Sequence, residues 1–181
     1  MKIIKGILTL YIALMVNNLF AKSIGELSDR EGYVILRVVV NGESPRFNNI
    51  PTGIKSIDVK GAKRQTIEGI YQGQNSYLVK LPAGKYEWSK LFLSNGVMDL
   101  EDSKFEFDVI ANKINYGGDL LIDIVGGYQA RLDYANRASF ARTFMEREYQ
   151  ELLQQFDMVY TGLSRDSYFD FVNTLHKKGD N

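Results

Sequence analysis

Between Tyr33 and Tyr134 apolar residues recur mostly at every second position, and beyond Asn136 at every third or fourth. The first period is that of a half-buried strand and the second that of an amphipathic helix. In Tyr33–Val40, Val34, Leu36, Val38 and Val40 share one face, and Tyr33, Ile35, Arg37 and Val39 share the other. Apolar content on both faces predicts a central strand. Arg37 is the exception, and it must lie near an edge or find a carboxylate. Ile54–Val59 and Thr66–Tyr71 read as shorter strands. Asn41–Gly53, with Pro45, Pro51 and Asn41-Gly42, reads as a loop.

Ser76–Asn95 reads as strand, tight turn, strand, and the rest of the chain is organised around it. Pro82 presets φ for a turn and Gly84 tolerates a positive φ. Phe105–Ile110 alternates cleanly, with Phe107 and Val109 against Glu106 and Asp108. Ala111-Asn112-Lys113 joins it to Ile114–Val125, placing Asn where Ala83-Gly84-Lys85 places Gly. The expectation is two hairpins of one construction. Gly117-Gly118 predicts a bulge or a close backbone approach. After it Leu120, Ile122 and Ile124 face one way and Asp119, Leu121 and Asp123 the other. Tyr128–Tyr134 is the last strand in the pattern.

The helical period predicts one helix of about five turns over Arg137–Phe156, capped by Asn136 or Ser139. A second helix, Ser167–Lys177, starts at an Asp166 cap and turns Tyr168, Phe171, Val172 and Leu175 inward. Strands first and helices last predict an α+β chain: a mainly antiparallel β-sandwich of about seven strands followed by two C-terminal α-helices.

The start of the chain follows a different pattern. Lys2 and Lys5 precede the apolar run Gly6–Val16, and a more polar exit ends on Ala21. That layout is a secretory signal peptide cleaved after Ala21; the run is short against the roughly 20 residues of a spanning helix. The predicted organisation is a leader at 1–21, a sandwich at 22–135 and a helical extension at 136–181 packed on the sandwich, one domain overall. Without cysteine the chain has no disulfide, thiolate metal site or lipid-bearing Cys, so an exported domain relies on its hydrophobic core. With 22 basic and 22 acidic residues it lacks the electrostatic footprint of a nucleic-acid-binding protein.

The elements Gly32-Tyr33-Val34-Ile35-Leu36-Arg37, Leu81-Pro82-Ala83-Gly84-Lys85-Tyr86 and Lys113-Ile114-Asn115-Tyr116-Gly117-Gly118-Asp119-Leu120 resemble bacterial exported proteins with a transthyretin-like sandwich. They are similar to carboxypeptidase regulatory-like domains. The resemblance covers residues 32–125 and implies a fold; it carries over no catalytic residue.

Candidate chemistry is sparse. His176 is the single histidine and stands before Lys177-Lys178, a position suited to a helix C-terminus. Asp99, Glu101 and Asp102 lack the EF-hand spacing and its Gly, so they read as an acidic loop. Asp119 and Asp123 are the best carboxylate pair, yet four residues of strand separate them by about 13 Å, beyond the roughly 5–9.5 Å of a glycosidase pair. They read as solvated strand-edge carboxylates. Tyr86, Trp88 and Phe92 are a stacking platform for a sugar or a partner if exposed, and sandwich core if not. No phosphate loop, nucleophile elbow or zincin helix occurs, and no cofactor is implied. The expectation is a non-enzymatic exported protein that binds or scaffolds an envelope protein or glycan, in the periplasm or secreted. The alternative is a hydrolase acting on cell-wall or extracellular polysaccharide through Asp/Glu chemistry. Tyr86, Trp88, Asp119 and Asp123 are the candidate contacts.

Overall fold

The computed structural model describes residues 25–42, 53–94, 96–125 and 129–179, with only the backbone described from 176. The predicted leader, most of the Pro45/Pro51 loop, Tyr128 and the His176 side chain lie outside these bounds. The elements run β1 (Glu31–Asn41), β2 (Ile54–Gly61), β3 (Gln65–Glu68), β4 (Gly73–Pro82), β5 (Gly84–Leu93), β6 (Gly96–Asp99), a 3-10 turn (Glu101–Ser103), β7 (Glu106–Val109), β8 (Ile114–Val125), β9 (Gln129–Ala135), α1 (Ala138–Glu148), α2 (Gln150–Gln155), β10 (Met158–Tyr160) and α3 (Tyr168–Gly179). The chain is an α+β, sandwich-like fold with two sheets and its helices at the C-terminal end. β6 and β10 are too short to leave a period in the sequence.

The first sheet has the order β10-β8-β1-β4, with β9 also on β8; the second has β3-β2-β5-β6, with β7 also on β5. β1 is central as predicted, antiparallel to β4 and parallel to β8. One face of β1 meets the second sheet: Val34, Leu36, Val38 and Val40 pack with Ile57, Val59, Trp88, Leu91, Phe107, Leu120 and Ile122. The other face meets the C-terminal elements: Tyr33, Ile35, Ile114 and Tyr116 pack with Ala138, Ala141, Met145, Met158 and Phe169.

Neither predicted hairpin forms. β4 pairs with β1 and β5 with β2, so Ala83 carries the chain from one sheet to the other. The Ala111-Asn112-Lys113 turn does the same, between β7 on β5 and β8 on β1. Alternation fixes which face of a strand is buried, and consecutive strands bury matching faces whether they are neighbours in one sheet or opposed across two. The likeness of the two turns nevertheless holds. Both use a positive φ, at Gly84 (147°) and Asn112 (57°). Both hang on the start of β1, where Ala83 N–H donates to Arg30 O (2.8 Å) and Asn112 N–H to Glu31 O (2.9 Å).

The glycine pair in β8 is a bulge. Ile35 faces Tyr116 and Arg37 faces Asp119, so β8 spends one extra residue between them. That residue reverses the strand's faces: Ile114 and Tyr116 belong to the helix side, whereas Leu120 and Ile122 belong to the inter-sheet core. Gly118 has φ 116°, and a Cβ there would fall 2.3 Å from the Tyr134 hydroxyl.

The predicted five-turn helix is broken. Tyr149 leaves helical geometry (φ −145°, ψ 42°), and the chain restarts as α2. Its ring meets Phe144 edge-on, with centroids 5.6 Å apart, and packs on the helix-side core. Asn136 rather than Ser139 serves the start of α1: it stands one residue ahead of the N-cap Arg137, and its Oδ1 accepts Ala138 N–H (3.1 Å). Asp166 caps α3 as predicted, Oδ1 accepting Tyr168 N–H (2.8 Å). The inward residue of α3 is Phe169; Phe171 and Leu175 point to solvent. β10 lies between α2 and α3, parallel to Ile114–Tyr116 at the start of β8.

Candidate functional site

The predicted contacts separate into three places. Tyr86 and Trp88 are 2% and 1% exposed in the inter-sheet core, with Tyr86 stacked on Phe107, so they offer no surface to a ligand. Asp123 is partly exposed, accepts a hydrogen bond from Asn41 Nδ2 (2.9 Å) and stands opposite Arg131 on β9. Asp119 has no exposed surface at all, which corrects its reading as a solvated carboxylate. The two carboxylates stand on one continuous ladder, from Ala135 to Arg131 on β9, and do not converge.

Asp119 is instead the centre of a polar node under the helical layer. The bulge that reverses β8 sets Asp119 beside Arg37, whose Nε lies 2.9 Å from Oδ1, both side chains buried. Thus Arg37 finds its carboxylate. Tyr116 Oη donates to the same oxygen (2.6 Å) and accepts from Arg137 N–H (3.0 Å) at the start of α1. Gln74 Oε1 accepts from Arg37 Nη2 (3.3 Å), and Phe140 of α1 covers the guanidinium with its ring centroid 5.6 Å away. The Nε contact is an ion pair without hydrogen-bond alignment, so Arg37 Nε and Asp119 Oδ2 are left without hydrogen-bond partners. Burial pushes the Asp119 carboxyl up from its ordinary value, outweighing the Tyr116 hydroxyl and the Arg37 and Arg137 charges. Burial, reinforced by the Asp119 charge, pushes the Tyr116 phenol up too. The node joins β1, β8 and α1, and helix and sheet enclose it.

An open groove of about 480 Å³ lies where β10 passes into α3, lined by Tyr160, Ser164, Arg165, Asp166, Ser167 and Asp170. Its frame is fixed at both ends. Thr161 N–H donates to Tyr116 O (3.0 Å), and Thr161 O accepts Asp108 N–H (3.1 Å), tying the loop to both sheets. Asp166 Oδ2 accepts from Asn136 Nδ2 (2.8 Å), so one bond couples the starts of α1 and α3. Tyr160 is braced by Tyr116 (centroids 5.9 Å) and its hydroxyl pairs with Ser164 Oγ (3.1 Å). The side chains of Arg165, Ser167 and Asp170 have no partner among the described residues. Sequence reasoning missed this site. Its signal, the polar run Ser164-Arg165-Asp166-Ser167, is read there only as a helix cap.

Asp99, Glu101 and Asp102 do not form a cluster. Asp99 Oδ1 accepts Glu101 N–H (2.9 Å), and Glu101 pairs with Lys60 (3.0 Å). Among the described residues no group of three metal-ligating side chains comes together, and no helix is long and apolar enough to cross a membrane. The fold and these two features define an α+β, sandwich-like protein with a sealed polar node and a solvent-facing polar groove. No family model, curated protein or solved structure matches the chain.

Proposed function

We propose that this is a non-enzymatic, exported protein that binds or scaffolds a component of the bacterial cell envelope. The observation that carries the reading is the state of Asp119. It is the carboxylate with the chemistry a hydrolase needs, lifted by burial and with one oxygen unpartnered, yet it has no exposed surface and is paired with Arg37. A general acid must reach the bond it protonates. Asp123, its intended partner, faces Asn41 and Arg131 instead. Export rests on the apolar leader ahead of Ala21, and the resemblance to a transthyretin-like sandwich on the turn and strand motifs of residues 32–125.

Two measurements test it. Intact mass of the protein from the extracytoplasmic fraction is expected to show a chain beginning at Lys22. Incubation with peptidoglycan and with extracellular polysaccharide is expected to release no reducing ends. Release that disappears in Asp119→Asn, with the fold retained, would overturn the reading in favour of the hydrolase.

A further inference from the structure

We propose that the groove between β10 and α3 is a binding site for a sugar unit of a glycan, an inference that rests on the envelope-binding reading and gives it a location. Its volume of about 480 Å³ lies within the roughly 300–1,000 Å³ of small-molecule sites. Its chemistry points to hydroxyl groups. Arg165 supplies donors only, Asp170 acceptors only, and Ser164 and Ser167 both. The side chains of Arg165, Ser167 and Asp170 have no partner among the described residues to give up on binding. Opposite charges at Arg165 and Asp170 favour a neutral ligand over an ion, while Asp166 is spent on the two helix starts. Tyr160 supplies an aromatic ring held in place by Tyr116, the surface on which the apolar face of a sugar ring rests.

A peptide fits less well. The lining holds no aliphatic side chain to form a pocket for a residue of the peptide, and the three-residue edge strand β10 contributes only Tyr160 to it. The frame is also rigid where a site needs it, since Asp166 and Thr161 anchor the loop to α1 and to both sheets.

The test is titration of the folded, isotope-labelled protein, followed by amide chemical shifts. The probes are the neutral N-acetylglucosamine disaccharide, maltose, and trialanine as a peptide. The expected result is saturable shifts at Tyr160, Ser164, Arg165, Ser167 and Asp170 with a sugar and none there with trialanine. Arg165→Ala and Asp170→Asn, both at exposed positions, should each weaken sugar binding about tenfold by removing a charge-assisted hydrogen bond, with melting unchanged. Groove shifts with trialanine alone, sugar shifts on another face, or no sugar binding would each overturn the site. The first two would leave envelope binding standing. Cleavage of the disaccharide with shifts still in the groove would overturn the non-enzymatic reading and keep the site.

Discussion

The two faces of β1 are buried to the same degree by different means. Toward the second sheet, Val34, Leu36, Val38 and Val40 pack in an apolar cluster, with the neutral Asn75 amide beside Val38 on β4. Toward the helices, Tyr33 and Ile35 meet apolar partners, but Arg37 meets Asp119, and Tyr116 carries that pair on to the backbone of α1. An apolar interface is non-directional and tolerates sliding; a buried ion pair is costly to make and more costly to leave half-made. The helix-side face therefore has one arrangement in which its charges are matched. By that logic the node is expected to register α1 on the sheet rather than to add net stability.

The comparison is broken most severely by removing one side of it. Truncation after Ala135 would uncover Tyr33, Ile35, Ile114 and Tyr116 together with the Arg37–Asp119 pair. The shortened chain is expected to aggregate or to melt far below the full chain. A soluble product of equal stability, by light scattering and thermal melting, would mean that the helical layer is dispensable.

Asp119→Ala leaves Arg37 charged and buried, and should cost about 3–5 kcal/mol in denaturant unfolding. The double variant Arg37→Met with Asp119→Leu should recover most of that loss, or exceed the natural chain. A double variant as unstable as the single one would mean that the pair contributes stability and not only register.

Two backbone positions sharpen the contrast further. Gly118→Ala places a Cβ at positive φ and against the Tyr134 ring, so about 3 kcal/mol is expected from strain and displacement together. Gly84→Val meets only ordinary contact, with Ala62 Cβ at 3.9 Å, and should cost about 1–3 kcal/mol from φ alone. Equal melting of both variants would remove the steric part of the argument at the bulge.

The smallest effect is on pH. Asp119 is faced by Arg37, Arg137, Tyr116 and Tyr134, and its folded pKa lies above the ordinary 3.8. The folded state therefore binds that proton more tightly than the unfolded chain. This group's contribution to stability rises as pH falls through the raised value and levels off below about 3.8. Relative to the natural chain, Asp119→Asn should thus lose stability more steeply on acidification from about pH 7 to about pH 4. Parallel profiles from chemical unfolding would show that Asp119 does not titrate in this window.

The sequence by itself determined the class of the fold, the central place of β1 and the bulge at Gly117-Gly118. It also determined the two matching turns and the Asp166 cap, because burial on both faces, positive φ and capping are local demands that restrict residue type. Even the need of Arg37 for a carboxylate was legible. Pairing was not. Tertiary structure alone decided that the two turns cross between sheets and that Tyr149 interrupts the helix. It alone placed β10 beside β8 and buried Asp119 rather than leaving it in water. Alternation reports which side of a strand is covered and is silent on what covers it. The identity of Asp119's partner depended on a one-residue shift between β1 and β8, and the groove on where the chain returned after its helices. Both are set by contacts between residues far apart in sequence, which no local period encodes.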